Sequence, residues 1–504
     1  MCPEIPHRTF VLALAAWTGL GLLPSRADTL LVPVQYPTIQ AAMNAAQAGD
    51  TVLVADGTYT GPGNKGLYFP NPNQPFTLRS VNGPESCIID CEGTGSAFFL
   101  VANEPPEAVV QGFTIKNGNS STGGAAFLHH DCDATFIDCI FTENTASAGG
   151  AIFTENDSSA TFIGCTFRGN KADAGGALYI SDSSDPRFIH CTIENNEANA
   201  EGGGVYANTF GTTPRLVNCT ITGNAAGGDG GGVFVGLGSP EVAHCTVAGN
   251  SSGGSGGGLA ARGSASVTLT HTILWDDTAA AGSELALLDH PVLGGAAVTV
   301  SYCDVEGGPG AATVGPGSTL SFGAGNVAAD PQFIDLTAGD VRTAGSSPVI
   351  DAGDPAAALD PSQPYDILGF GHPRLDDGDF DGVEVVDIGA VEFGGLLGNL
   401  SATVGSPIEL TLWGLPAASY LLFLGFPTVD QDLGGLGTLF LDATQLVLVS
   451  SGALPPAGQT LAASVPAPAG AAGVTVSLQA VAFGPLPSQA PHLTNLEEVT
   501  IQLP

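Results

Sequence analysis

The chain has 504 residues, with 12 Lys and Arg against 49 Asp and Glu, a net charge of −37. That charge excludes nucleic acid and anionic membrane as natural partners, and it disfavours a polyanionic glycan unless calcium bridges the two. The 71 glycines show no collagen period and point to many turns, and the length allows an extended domain plus at least one more.

Residues 1–27 have the form of a secretory signal peptide. His7 and Arg8 supply positive charge, residues 10–23 an apolar core too short and Gly-interrupted to span a bilayer, and Ser25-Arg26-Ala27 a small-x-small cleavage site. No later stretch is a membrane span, so the mature product is expected to be exported and soluble. Residues 28–60 read as an end cap. They predict a strand over 30–34, then a helix of about ten residues after Pro37 that carries Ile39, Ala42, Met43 and Ala46 and ends at Gly49. A strand over Thr51–Val54 and a turn at Asp56-Gly57-Thr58-Tyr59 follow. Residues 61–110 are irregular early coils.

Over residues 110–275 the sequence repeats. Cys139, Cys165, Cys191, Cys219 and Cys245 are spaced 26, 26, 28 and 26 apart, with Phe113 one step before and His271 one step after. Gly-Gly pairs at Gly149-Gly150, Gly175-Gly176, Gly202-Gly203 and Gly230-Gly231 keep the same phase. So do Asn144, Asn170, Asn196, Asn224 and Asn250. Ile163, Cys165 and Phe167 alternate with Gly164, Thr166 and Arg168, the period of a strand. A second short strand follows each Gly-Gly pair. Such a unit is one coil of short strands joined by bends, stacking on the next as a parallel β-helix. Each stacked asparagine is expected to take a left-handed conformation and bond to the next coil.

The motifs Phe141-Thr-Glu-Asn144, Phe167-Arg-Gly-Asn170 and Gly149-Gly-Ala-Ile152 resemble the F-x-x-N and G-G-A-[I/L/V] repeats of polymorphic outer-membrane proteins. More broadly, the chain resembles right-handed β-helix proteins of the pectin-lyase-like fold. The resemblance implies an all-β solenoid, and it leaves the activity open, because this fold hosts lyases, hydrolases, adhesins and scaffolds.

The repeat cysteines are expected as an inward stack of free thiols, since opposed residues on parallel strands suit bridge geometry poorly. Cys87, Cys91 and Cys132 lie outside that ladder, and Cys87–Cys91 and Cys91–Cys132 are candidate bridges.

Residues 275–345 continue with degenerate coils, among them Val298-Thr-Val300-Ser-Tyr-Cys303. Residues 330–393 close the helix. Ser346-Ser-Pro348-Val-Ile350-Asp351-Ala-Gly353 and Val386-Asp387-Ile-Gly389-Ala-Val-Glu392 resemble the choice-of-anchor Q type region of exported β-helix proteins, which implies a surface or secreted location. Within it, Asp377, Asp379 and Asp381 alternate before Gly382, in the manner of a calcium loop. They form a candidate calcium site with the Val383 carbonyl and Asp387. The alternative is a solvated acidic turn. Residues 394–504 lose the repeat, and their spaced apolar runs suit a small β-sandwich-like domain.

Three residue sets bear on binding or chemistry. Phe127, Phe153, Tyr179, Tyr206 and Phe234 share one repeat position. If Ile152, Leu178 and Val205 point inward, these rings form an outward ladder suited to sugar stacking, unless the rings stack on one another. Position minus one from each cysteine reads Asp138, Gly164, His190, Asn218, His244, then Thr270. His129, His130, Asp131 and Asp133 form a denser cluster that could hold a metal. Neither that column nor this cluster offers the base and charge stabilisation that a β-eliminating lyase needs. The sequence favours a secreted or cell-surface β-helix scaffold, adhesin-like and glycan-contacting, without catalysis. The alternative is a polysaccharide lyase or glycoside hydrolase working on the helix flank.

Overall fold

The computed structural model describes residues 27–101, 103–356, 366–367 and 385–391, and backbone strands between 397 and 500. The repeating stretch forms a parallel β-helix. In the coil of Cys139 the strands are Thr135–Ile137, Ile140–Thr142, Thr145–Ala148 and Ile152–Glu155. Among the described residues, like strands of successive coils pair into parallel sheets of 12, 10, 6 and 9 strands. Register is like on like: Thr135 faces Thr161, Phe141 faces Phe167 and Phe153 faces Tyr179. Each side chain therefore recurs about 4.8 Å further along the axis.

Left-handed residues make the corners. One column precedes the cysteines (Asp138 φ 50°, His190 φ 53°, His244 φ 52°), and a second precedes the asparagines (Glu143 φ 56°, Asn195 φ 53°). The ladder asparagines themselves are not left-handed, contrary to expectation. The residue before each one takes the bend, which leaves the Asn side chain free to reach the neighbouring coil. A third corner is the first glycine of each pair, such as Gly149 at φ 64°. Its partner Gly150 has no room for a side chain, because a Cβ there would lie 2.1 Å from the Gly176 carbonyl oxygen.

The bend at Gly164 also shifts the phase of the run read as one alternating strand. It breaks into Thr161–Ile163 and Thr166–Arg168, so Phe162 and Phe167 point inward and are fully buried while Ile163 turns outward. The inward rings stack along the axis, Phe136 on Phe162 at 5.1 Å and Phe162 on Phe188 at 5.0 Å.

The thiol column is longer than the spacing suggests. Ile88 pairs with Thr114 and Thr114 with Ile140, so Cys87 and Phe113 precede Cys139 in one inward column. At the other end Thr246 pairs with Ile273 and Ile273 with Asp304, so Thr272 and Cys303 follow Cys245. His271 is thus displaced from the column, because that coil has grown by one residue. Thr272 Oγ1 takes the thiol's place and accepts the Cys245 N–H at 3.3 Å. Cys87, Cys91 and Cys132 are all buried and free, which corrects the candidate bridges. They occupy different corners of the coil: Cys87 in the thiol column, Cys91 beside Lys116 after the next strand, and Cys132 where Ser158 sits one coil on.

The second inward column is the asparagine ladder. Asn170 Oδ1 accepts both the Asn144 N–H (3.1 Å) and its Nδ2 (3.0 Å), while Asn144 Nδ2 also donates to the Ile115 carbonyl at 3.1 Å. The pattern repeats at Asn196, Asn224 and Asn250. These buried amides satisfy one another, as interior polar groups must.

At the N-terminal end the helix is shorter than expected, Ile39–Met43, capped by Thr38 Oγ1. Ile39, Ala42 and Met43 are fully buried. The first strand is Thr29–Val32, and Gly57–Tyr59 is a strand paired with Cys87 to Ile89 rather than a turn. At the other end Phe333–Asp335 and Asp340–Thr343 form an antiparallel pair around a 3-10 turn, Leu336–Ala338. Val349 and Ile388 pack on Ile273, which holds this closing region against the flank. Further on, strands such as Ile408–Trp413, Ser419–Gly425 and Thr475–Phe483 pair antiparallel. No helix among the described residues is long and apolar enough to cross a membrane.

Candidate functional site

The aromatic residues singled out from the repeat lie where alternation places them. Ile152, Leu178 and Val205 are inward and buried, and the rings that follow them point out from the nine-stranded sheet. They stack face to face: Phe127 on Phe153 at 5.7 Å, Phe153 on Tyr179 at 4.9 Å, Tyr179 on Tyr206 at 4.6 Å and Tyr206 on Phe234 at 5.3 Å. Arg262 covers the far ring, its guanidinium 4.8 Å from the Phe234 centroid, and Phe234 is 0% exposed. Burial pushes the Tyr206 hydroxyl well above its ordinary range, which keeps it neutral.

The open end lies upstream, at residues the repeat did not reveal. Phe99 stacks on Phe127 at 5.2 Å and is 50% exposed. Leu67 bridges Phe98 in parallel, so Tyr68, 45% exposed, stands beside Phe99 on the same outward face. Gln40 grips the Tyr68 backbone twice, its Oε1 accepting the N–H and its Nε2 donating to the carbonyl, and Nε2 also donates to Asn44 Oδ1. Exposed rings beside fixed carboxamides make a surface that offers stacking and neutral hydrogen bonds together. The signal that could have found it is the pair of Tyr68 and Phe99 itself, hidden because residues 61–110 keep no regular spacing.

The histidine column is real but runs one residue differently, with His271 rather than Thr270 following His244. His190 Nε2 lies 3.1 Å from Asn218 Nδ2. His244 stacks on His271 at 4.5 Å, and His271 on Tyr302 at 5.6 Å. His271 Nε2 accepts the Asp354 N–H, its carbonyl accepts the Gly389 N–H, and Thr246 Oγ1 accepts the Ala390 N–H. This column anchors the closing region.

In the denser cluster His129 meets Glu155 at 3.4 Å and Asn156, while His130 packs edge-on against His129 at 3.7 Å. Asp131 accepts from Asn103 Nδ2 and Asp133 from the Ser159 N–H. Among the described residues no three His, Cys, Asp or Glu groups converge to hold a metal ion. Of the calcium-loop residues, Asp377, Asp379, Asp381 and Val383 lie outside the described residues. Asp387 is buried and its Oδ1 accepts the Asp351 N–H at 2.7 Å.

A cleft of about 300 Å³ runs beneath the Leu336–Ala338 turn, lined by Glu194, Asn195, Thr222, Gly223 and Asp276. The register places Glu194 three coils from Trp275, the neighbour of Asp276. That is about 14 Å at one strand spacing per coil. Paired catalytic carboxyls of glycoside hydrolases stand roughly 5–9.5 Å apart. Six basic groups on the flank are engaged with acids: Lys65 with Glu92, Lys116 with Asp90, Arg168 with Glu194, Lys171 with Glu197, Arg215 with Glu241 and Arg262 with Glu201. Arg79 and Arg187, on the twelve-stranded sheet, make no ion pair among the described residues.

The family model of the right handed beta helix region matches residues 100–274. Among solved structures, the pectate lyase Pel9A is similar at 15% identity and a TM-score of 0.46, over 73% of this chain and 97% of that one. A PL6 family alginate lyase, AlyGC, is similar at 12% identity and a TM-score of 0.24, over 58% and 53%. The enzymatically active domain of bacteriophage CBA120 tailspike protein 4 gives 12% and 0.26, over 92% and 65%. No curated protein matches the chain in sequence. The matched family model and the stacked parallel sheets define the chain's fold as an all-β, right-handed parallel β-helix.

Proposed function

We propose that the chain is an exported β-helix scaffold that binds neutral polysaccharide through the open end of its aromatic ladder, without cleaving it. The observation that carries this reading is the adjacency of Tyr68 and Phe99, both exposed on one face and flanked by the amides of Gln40 and Asn44. Ring faces within Phe127 to Phe234 are covered by their neighbours, so sugar stacking belongs to the uncovered end and to ring edges. Acid dominance, with most flank cations held in ion pairs, favours an uncharged glycan over a uronate polymer. Export is supported by the signal-like segment 1–27, and surface display by the repeat motifs and the anchor-like closing sequence. Calcium at Asp377, Asp379, Asp381, Val383 and Asp387 would serve attachment or folding in this reading.

The test is affinity electrophoresis of the intact protein in gels containing neutral or acidic polysaccharides, beside an assay for new chain ends. Retardation by neutral polymers without new ends supports the reading. New chain ends would replace it with the lyase or hydrolase alternative.

A further inference from the structure

We infer that Asp277 and Glu284 form a proton-binding site that closes the asparagine ladder, the two buried carboxyl groups holding one proton between them at neutral pH.

The ladder supplies the argument. In each of its five rungs the side-chain oxygen takes donors from the neighbouring coil, and the amide nitrogen also donates back to a strand carbonyl. Asn250 Nδ2, for example, donates to the Ile221 carbonyl at 2.9 Å. The sixth rung is Asp277. Its Oδ1 performs the acceptor role faithfully, taking the Asn250 N–H at 2.6 Å and Nδ2 at 2.9 Å. Its second oxygen stands where an asparagine would carry a donor, and Asp277 Oδ2 has no hydrogen-bond partner. An ionised carboxylate leaves that position with an acceptor where five rungs place an N–H. A protonated acid restores the donor.

Glu284 completes the site. It is 4% exposed, as is Asp277, and its Oε1 accepts the Asp277 N–H at 3.1 Å. Its Oε2 has no partner either. Two buried carboxyls in contact can hydrogen-bond only when one of them is protonated.

The groups that face the pair are acids too. Glu306, on the following coil, accepts the Asp276 N–H and adds negative charge beside Glu284. Asp304, fully buried on the same coil, also has an unpartnered Oδ2. The cation on the next strand back, Arg262, is committed to Glu201 and Asp229. Burial and then the Glu284 charge hold Asp277 above the carboxylate range, and burial likewise raises Glu284, so the coupled pair keeps a proton that neither would hold in water. With acids around the pair and the Arg262 cation committed elsewhere, a proton is the counter-charge that fits.

The sign of the pH effect follows. The unfolded carboxyls ionise near about pH 4 while the folded pair keeps its proton, so stability falls as pH rises from about 4 to about 8. Proton loss then places charge at the junction between the regular coils and the closing region.

The test is thermal unfolding of the intact protein and of Asp277→Asn and Glu284→Gln at about pH 5 and about pH 8.5, with and without calcium. Asp277→Asn should melt several degrees above the unaltered protein at the higher pH and show a smaller fall between the two. An unchanged fall in both variants overturns the inference. Infrared difference spectra give a second readout, in which the protonated-carboxyl band at neutral pH weakens when Asp277→Asn and Glu284→Gln are combined; an undiminished band overturns it. A calcium-dependent rise in melting temperature that Asp277→Asn abolishes also overturns it, in favour of a cation site.

Discussion

His271 Nε2 accepts a hydrogen bond from the backbone N–H of Asp354 at 3.1 Å, joining a corner of the β-helix to a residue 83 positions later. With the stack on His244, this contact gives the outward histidine column a structural task. His271→Ala should leave the coils folded but cost about 1–3 kcal/mol locally, since the Asp354 N–H loses its acceptor. Limited proteolysis should then cut near residue 350 faster than in the unaltered protein, with little change in global melting.

The open end and the packed middle of the aromatic ladder should respond differently. Tyr68→Ala with Phe99→Ala removes exposed rings, so neutral-glycan retention should drop several-fold with melting nearly unchanged. Tyr179→Ala with Tyr206→Ala removes packed rings and should destabilise by about 3–5 kcal/mol. Paired gel-retardation and denaturation measurements separate these outcomes.

Asn196 should be among the costliest polar positions. Its amide receives from Asn170, donates to Asn224 and donates to the Phe167 carbonyl at 2.9 Å. Asn196→Ala strands buried donors and acceptors on both neighbouring coils, for an expected loss of about 2–4 kcal/mol. Glu197→Ala, exposed on the adjoining strand and paired with Lys171, should lose under about 1 kcal/mol. Urea unfolding of both variants checks the contrast.

The thiols should be silent in the native state. Burial raises Cys87, Cys91 and Cys303 to about 12, which removes the reactive thiolate at ordinary pH. Alkylation should label them only after denaturation, and reducing agent should leave the melting temperature unchanged.

Asp304 predicts a second pH effect. Burial lifts its carboxyl to about 7, so its contribution is full below about pH 4 and is lost as pH rises toward 7. Asp304→Asn should remove that part of the slope, of order 2–4 kcal/mol at most. Its Oδ1 accepts the Ala329 N–H at 3.2 Å, a role that asparagine keeps.

The period of 26 residues made the solenoid, the inward thiols and the outward rings legible, because parallel stacking returns each residue type to one environment. What the period could not show is where one residue is added without breaking the stack. The coil before Ile273 lengthens by one, and that single step moved Thr272 into the thiol column and His271 into the outward one. Alternation also misled at Gly164, since a left-handed corner shifts the phase while leaving the pattern of apolar letters intact. The free end of the ladder at Tyr68 and Phe99 stayed hidden for a related reason: the early coils vary in length, and their equivalence is set by pairing of backbone rather than by spacing. Asp277 was invisible because an aspartate one coil past Asn250 reads as a break in the ladder, whereas its Oδ1 continues it.

The Gly149-Gly150 corner has a mechanical consequence. With coil backbones in direct contact there, the coils have no slack along the axis, and a pull on the two ends loads the hydrogen bonds between coils one interface after another. Such a molecule yields stepwise, like thread leaving a spool. Each released turn of 26 residues frees roughly 90 Å of extended chain.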